Sequence, residues 1–383
     1  MFQQLFSYAF RPFFLLGSLF AIVIVGLWTS VLHAPMGVPA EMLYWHGHEM
    51  LVGFAMAAVA GFLLTAVANW TGRQPLSGAP LVWLALSWLA GRLAMGFAFA
   101  YPAWVAAAID MLFPLSLAFF AGREIILAGD RRNLVVVLIV SLLAVFNLFY
   151  HLGRAGVLPG DDRIAIYLML HFVLFLTAVI AGRIVPNFTA NWLRQQGVEK
   201  LPATYGWLDA LCLLLTAATG IAIAYLQFGP IPGSLALAAA LAHACRLFLW
   251  RGLATISNPL LFVLHVAYVW FPVGYLATAA AAFGYGLPAS VALHALSMGV
   301  IGTMILAVSS RVALGHTGRP LLAARAVVVA YWCLTIGVVL RLSGAFAANY
   351  LLWVDMSALA WMLAFGIFFK VYWPVLTGPR ADE

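Results

Sequence analysis

The feature that most constrains this chain is a succession of apolar runs separated by short breaks of proline, glycine and polar residues. A helix of about 20 apolar residues crosses the hydrocarbon core of a bilayer. Hydrophobic residues make up 65% of the chain and charged residues 8%, whereas soluble domains are about half apolar and a quarter charged. The sequence therefore predicts an all-α, polytopic membrane protein. We place twelve spans near residues 13–33, 45–69, 80–100, 102–122, 134–156, 164–186, 207–228, 231–251, 258–283, 288–314, 322–345 and 350–373.

Positive charges predict how these spans are oriented. Twelve spans place both termini on one side of the membrane. Of the 19 Lys and Arg residues, only Arg154, Arg163 and Arg341 fall on the opposite side, and Arg92 lies within a span. Because cytoplasmic loops carry the excess of Lys and Arg, both termini are predicted to be cytoplasmic.

The remaining composition excludes several function classes. The net charge of +7 is spread over short loops, which indicates membrane topology rather than nucleic-acid binding. Cys212, Cys245 and Cys333 lie in apolar spans without CxxC spacing, so neither a disulfide framework nor a zinc motif is predicted. The run from Phe13 is too long for a cleavable signal peptide, and no A-x-A site follows it.

Histidines recur at equal intervals. The interval from His48 to His171 and the interval from His171 to His294 are both 123 residues. Each histidine lies near the start of an apolar span that is followed by a Gly-Arg pair. Self-similarity at a fixed period indicates a repeated architecture. We predict a single transmembrane domain, 1–383, with a weak threefold repeat of about 1–125, 126–250 and 251–383.

The predicted topology places these histidines at one depth. Spans two, six and ten run inward, so His46, His48, His171 and His294 are expected in the outer third of the membrane. Imidazole is a common ligand of iron and copper, and facing helices can bring ligands together inside a bundle. We predict His48, His171 and His294 as ligands of a metal or haem. His46 lies about 200° around the helix from His48, so it either faces a second metal or is an interfacial residue.

Other histidines are open to two interpretations. His265, on span nine, is a further candidate ligand, although its predicted depth is on the inner side. His243 and His316 are interpreted as hydrogen-bonding partners of neighbouring helices. For His151, at the outer end of span five, both readings stay open.

Charged residues within the spans are the remaining candidates. Glu49 can orient the adjacent histidine, relay protons as a catalytic group, or cap the start of span two. Asp110 is predicted to pair with Arg92 on the preceding span. Arg154 and Arg341, near the outer boundary, are candidates to bind haem propionates, with interfacial anchoring as the alternative.

Five long motifs are distributed along the chain, so that the resemblance they carry spans nearly its whole length. They are AFRPFFLLG (Ala9–Gly17), WHGHEMLVGF (Trp45–Phe54), GFLLTAVANWTGR (Gly61–Arg73), GRIVPNFT (Gly182–Thr189) and LHALSMGVIGTMILAVSSRVALGHTGRPL (Leu293–Leu321). In these motifs the chain resembles the NnrS family. The resemblance implies a twelve-span protein of the bacterial inner membrane that contains haem, here haem b, and copper. It also implies a role in nitric oxide metabolism and nitrosative stress, often in denitrifying bacteria.

A second likeness is architectural. The predicted architecture of this chain is similar to that of the catalytic subunits of haem–copper oxidases, which include nitric oxide reductases. Those subunits have twelve spans in three arcs of four, and their metal ligands come from spans two, six, seven and ten. This chain departs from that pattern because span seven has no His-His pair and His294 has no histidine two residues away.

Two functional hypotheses follow. The favoured one is a nitric oxide reductase-like oxidoreductase in the lipid bilayer that reduces nitric oxide to nitrous oxide. The chain has no CxxCH haem-attachment motif, so a quinol or a partner cytochrome would donate the electrons. The alternative is a transporter or a non-catalytic haem or nitric oxide sensor. Transport predicts an even-numbered repeat with a site at the middle of the membrane, which the threefold pattern disfavours.

Overall fold

The structure is a computed structural model that describes residues 1–35, 37–129, 133–158 and 161–382. The described residues are all-helical and contain no strand, with 81% of the chain in helix. Twelve helices are long and apolar enough to cross a membrane, which confirms the predicted fold class and the number of spans. They are α1 (Phe10–Leu32), α2 (Glu41–Thr71), α3 (Ala79–Gly96), α4 (Ala103–Leu127), α5 (Leu134–Arg154), α6 (Asp162–Gln195), α7 (Gly206–Leu226), α8 (Pro230–Leu249), α9 (Pro259–Ala282), α10 (Ala289–Gly315), α11 (Arg325–Phe346) and α12 (Tyr350–Thr377).

The chain divides into two compact units. The first unit consists of Met1–Met169, Val312–Pro320 and Phe369–Glu383, and it contains α1 to α5. The second unit consists of Leu170–Arg311 and Leu321–Phe368, and it contains α7, α8, α9 and α11. The threefold repeat stays a prediction. Arg131 and Arg132, which contribute to the predicted topology, lie outside the described residues.

Proline and glycine set most helix boundaries. Pro80, Pro230 and Pro259 lie in the first turn of their helices, where the missing N–H is not needed. Gly72 ends α2 in the left-handed conformation, with φ 65°.

Span six is predicted to end near residue 186, and the structure shows that its helix extends beyond this apolar segment. Helix α6 continues through Pro186 to Gln195. An internal proline removes one backbone hydrogen bond, which nearby Ser and Thr side chains can compensate within a helical bundle. Pro186 cannot donate to the Gly182 carbonyl, and beside this gap Asn187 Nδ2 donates to the Arg183 carbonyl at 2.6 Å. The polar residues from Asn187 onward extend the helix beyond the apolar length needed to span a bilayer.

Two helices change to π-helical geometry directly after a predicted ligand. The π-helical segments are Glu49–Ala55, after His48, and Ala295–Gly302, after His294. A π-turn accommodates one extra residue, and such turns are frequent at functional sites. In the first unit the Gly53 carbonyl of this segment accepts the Trp88 indole N–H at 2.9 Å. The two segments occupy equivalent places in the predicted repeat, whereas α6 is α-helical around His171.

The first and last helices are joined within the first unit. The buried Arg11 donates through Nη1 to the Leu376 and Gly378 carbonyls at 3.0 and 2.7 Å. His316, just past the end of α10, lies 5.6 Å from the Phe10 ring between centroids. Burial lowers the pKa of His316, and the Arg380 charge lowers it further. His316 therefore packs against a neighbouring helix, in agreement with its interpretation as a structural histidine.

Candidate functional site

Six polar side chains form a buried cluster in the first unit, called the first-unit cluster here. Each is at most 6% exposed. They come from four helices, so the packing of α2 to α5 brings them together. The members are His48 and Glu49 on α2, Arg92 on α3, Asp110 on α4, and Asn147 and His151 on α5.

Asp110 is the centre of the first-unit cluster. Its Oδ1 accepts a hydrogen bond from Arg92 Nη2, which confirms the predicted Arg92–Asp110 pair. Its Oδ2 accepts from Asn147 Nδ2 at 2.8 Å and lies 2.9 Å from His151 Nε2. Arg92 Nη1 also donates to Glu49 Oε1 at 2.6 Å. One guanidinium therefore bridges two carboxylates in a region without solvent, where ionised groups require partners.

His48 faces oxygen acceptors on both sides of its ring. Nδ1 lies 2.9 Å from Glu49 Oε1, and Nε2 lies 2.8 Å from Asn147 Oδ1. The Asn147 amide is oriented by its donation to Asp110, so its oxygen can only accept. Both ring nitrogens of His48 therefore carry protons in this arrangement. The resulting imidazolium and Arg92 balance the two carboxylates.

Three atoms of this cluster also have the spacing of a metal site. One possible ligand atom from each of His48, Asp110 and His151 lies within 4.8 Å of those of the other two, and His48 Nε2 and His151 Nε2 lie 3.3 and 2.9 Å from Asp110 Oδ2. The His48 and His151 rings are 5.6 Å apart between centroids, which places the two histidines at the same level of the first unit. This arrangement can hold protons or a cation.

A second polar network lies in the second unit, around His243. His243 Nε2 lies 3.0 Å from Thr216 Oγ1, and Nδ1 lies 2.7 Å from the Tyr268 hydroxyl. Arg246 Nη1 donates to the Tyr268 oxygen at 2.9 Å, so the Tyr268 hydroxyl donates to His243. With both nitrogens in hydrogen bonds to neighbouring helices, His243 has the structural role that the sequence predicts.

Arg246 itself is buried, at 3% exposure, although it was assigned from sequence to the cytoplasmic side. Its Nε donates to Asp209 at 2.7 Å and its Nη1 to the Ala178 carbonyl at 3.1 Å. A Cβ at Gly182 would overlap the guanidinium. The glycine of the GRIVPNFT motif therefore makes space for this arginine.

The predicted ligands of the second unit lie on different helices. The His171 ring packs against Gly220 on α7, where a Cβ would overlap it, and lies 6.4 Å from the Tyr275 ring between centroids. On α10, His294 Nδ1 donates to the Ser290 carbonyl at 2.7 Å. Leu296, two residues after His294 on α10, packs on Gly274 of α9. Because Gly274 adjoins Tyr275, this contact relates the position of His294 to that of Tyr275. His171 and His294 therefore lie at a similar level along α9.

His265 and His46 have separate surroundings. His265 Nε2 lies 2.9 Å from Thr189 Oγ1, and the ring lies against Gly252. Because the Thr189 hydroxyl donates to Val185, His265 must donate from Nε2, which leaves Nδ1 as the basic nitrogen. His46 stacks on Trp28, with centroids 4.4 Å apart and planes at 10°. His46 belongs to the first unit and His265 to the second.

Of the two candidate propionate partners, Arg154 is exposed and Arg341 is partly buried. Arg154 ends α5 in the first unit. Arg341 Nη2, in the second unit, donates to the Tyr350 hydroxyl at 2.9 Å. Their proposed contact with haem stays a prediction.

Sequence reasoning missed part of this site. Asn147 was not predicted, and His151 was left open. The available signal was the spacing: Asn147 and His151 are four residues apart in an apolar span, so they share one helix face. Polar residues on one face of a membrane helix indicate a buried partner.

The family model described as NnrS protein matches residues 4–380, nearly the whole chain. A search of curated proteins found no match.

Proposed function

Since the chain belongs to the NnrS family, we propose that this multi-pass membrane protein binds haem b and acts on nitric oxide. The proposed location is the bacterial inner membrane, with both termini in the cytoplasm. The proposed role is protection from nitrosative stress by reducing nitric oxide to nitrous oxide. An apolar membrane interior suits nitric oxide, which is small and uncharged.

The observation that carries this proposal is the hydrogen bond of His294. Donation from Nδ1 to the Ser290 carbonyl orients the ring, and such a bond is typical of histidines that ligate metals. His171 lies at a similar level, in the space that Gly220 provides. These donors suit haem, which takes axial imidazoles from apolar surroundings. When bound, haem would supply a redox-active iron that binds nitric oxide.

This reaction also requires buried side chains that can hold and transfer protons. Reduction of two nitric oxide molecules to nitrous oxide consumes two electrons and two protons. In the first-unit cluster, His48 holds a proton on each nitrogen between Glu49 and Asn147, and Glu49 is our candidate to pass such a proton on. The electrons would come from a quinol or a partner cytochrome. Copper, which the family resemblance implies, remains part of the proposal without an assigned site.

The visible spectrum of the purified protein tests haem binding. We expect a Soret band in the wild type that is lost or shifted in His171→Ala and His294→Ala. In His294→Gly, added imidazole should restore the wild-type spectrum, since it replaces the missing ligand. The control is His243→Gln, because His243 is a buried histidine of the same unit whose two ring nitrogens are hydrogen-bonded to Thr216 and Tyr268. A colourless wild type from haem-replete cells would overturn haem binding and favour a transporter.

Anaerobic turnover separates an enzyme from a sensor. The haem-loaded protein, given a reductant and nitric oxide, should consume nitric oxide faster than the same concentration of free haem and release nitrous oxide. Consumption at the rate of free haem would remove the enzymatic part of the proposal and leave a nitric oxide sensor.

A further inference from the structure

We propose that His48 Nε2, Asp110 Oδ2 and His151 Nε2 form a mononuclear site for a divalent first-row transition metal, with Fe²⁺ or Zn²⁺ as the expected ion. The site lies wholly in the first unit. It uses none of the histidines proposed for haem, so haem binding and metal binding are tested separately. In the metal-bound state His48 Nε2 would not hold the proton assigned to it above, and Glu49 remains the candidate to pass protons on.

The three donor atoms converge from three helices. His48 Nε2 and His151 Nε2 lie 3.3 and 2.9 Å from Asp110 Oδ2. All three side chains are almost fully buried, at 0%, 5% and 0% exposure for His48, His151 and Asp110. Donor atoms of one metal ion are close neighbours in this way because they share a coordination sphere.

The surrounding groups orient each donor. Glu49 Oε1 accepts from His48 Nδ1 at 2.9 Å, which directs Nε2 of the same ring toward Asp110. A carboxylate behind a ligating histidine is a common arrangement in metal sites. Arg92 holds the other oxygen of Asp110, so Oδ2 stays directed at the two histidines. These outer contacts pre-organise the donors.

The charge of the cluster favours a cation. With neutral histidines, two carboxylates, Glu49 and Asp110, face one guanidinium, Arg92. An excess buried negative charge is costly. In the arrangement described above, a proton on His48 Nε2, donated to Asn147, offsets it. A divalent metal ion would replace this proton and release it to solvent, which leaves the cluster one positive charge above neutrality, while the proton on His151 Nε2 would move to Nδ1. No oxidation or reduction occurs in this exchange.

The donor set selects the metal. Two imidazoles and one carboxylate suit Fe²⁺ and Zn²⁺, whereas Cu⁺ prefers the softer sulfur ligands. Open coordination positions beside such a set are typical of sites that bind a small ligand. The first-unit site therefore differs in donor chemistry from a haem site and from a copper(I) site.

Metal content tests the proposal directly. The purified full-length protein is stripped with a chelator, reconstituted anaerobically with Fe²⁺ or Zn²⁺ alone, and desalted. Metal per chain is measured by mass spectrometry, and haem iron by a separate pyridine-haem assay. We expect about one non-haem ion per chain in the wild type, and at least about tenfold weaker binding in His151→Gln and Asp110→Asn. Glu49→Gln should weaken binding about 10- to 100-fold without changing the donor set.

The control variant is again His243→Gln, which should keep the wild-type non-haem metal content. His151→Gln is chosen because its amide can still donate to Asp110, so it retains the hydrogen bond and removes only the imidazole donor. If Asp110→Asn does not fold, X-ray absorption of the wild-type metal decides: imidazole and oxygen scattering supports the site. Unchanged metal content in His151→Gln, sulfur scattering, or retention of copper(I) alone would overturn the proposal.

Discussion

Arg92 shows how a single side chain decides whether a buried site is stable. It is 6% exposed and donates to both Glu49 and Asp110. A guanidinium has donors in a fixed fork, so it can satisfy two carboxylates at once, which the single ammonium of lysine does less well. Without Arg92, two like charges would face each other away from water.

We therefore expect Arg92→Gln to lower the free energy of unfolding by about 3–5 kcal/mol, the usual cost of removing one partner of a buried ion pair. The measurement is thermal or denaturant unfolding of the purified protein in detergent, followed by circular dichroism.

Arg73→Gln is the matched control. Arg73 also pairs with a carboxylate, Glu124, at 2.6 Å, but its side chain is 38% exposed. Exposed pairs contribute about 0–1 kcal/mol. Equal losses of stability in the two variants would contradict the burial argument.

At the level of the helices, glycine determines where side chains can approach a neighbouring backbone. Gly182 accommodates Arg246, Gly220 accommodates His171, and Gly252 accommodates His265. Small residues allow close contact between membrane helices, where packing rather than the hydrophobic effect drives association. Two of these three glycines therefore hold candidate ligands in place.

Gly220→Ala should displace His171, because the new Cβ would overlap its ring. We expect a loss of stability of about 1–3 kcal/mol, as in other overpacked cores, together with a shifted Soret band if His171 ligates haem. Circular dichroism melts and visible spectra measure the two effects.

Gly206→Ala, in the same helix, provides the comparison, because nothing lies within 4 Å of the new Cβ. It should leave the spectrum unchanged and be neutral or stabilising by up to about 1 kcal/mol. A Gly220→Ala protein that behaves like Gly206→Ala would show that His171 tolerates the shift.

At the scale of the whole molecule, the predicted depths of the histidines depend on which side of the membrane the termini face. The distribution of Lys and Arg predicts cytoplasmic termini, so the loop of Gly284 and Gly286, between α9 and α10, should face the outside. Truncated fusions of alkaline phosphatase after Gly286 should be active, because that enzyme needs an oxidising compartment. A green fluorescent protein fused after Glu383 should fluoresce, since it matures in the cytoplasm. Phosphatase activity at the C-terminus would reverse the orientation and place His48 on the inner side.

The sequence by itself determined the fold class and the number of spans, because hydrophobic length is a local property and no partner helix is needed to recognise it. It also identified His48, Glu49 and the Arg92–Asp110 pair, since ionisable residues in apolar spans are costly and few. The sequence did not show that α6 continues through Pro186, because whether a helix passes an internal proline depends on its neighbours in the folded bundle.

Only the tertiary structure decided which polar residues meet. His48 and Asn147 are 99 residues apart in sequence, and their side chains meet only because α2 and α5 come together in the folded first unit. Contact of this kind depends on the rotation of each helix about its axis, and the π-helical turn after His48 changes that rotation locally. Hydropathy contains no information on rotation between helices. The spans can therefore be predicted from the local sequence, whereas the buried site forms only when the helices pack together.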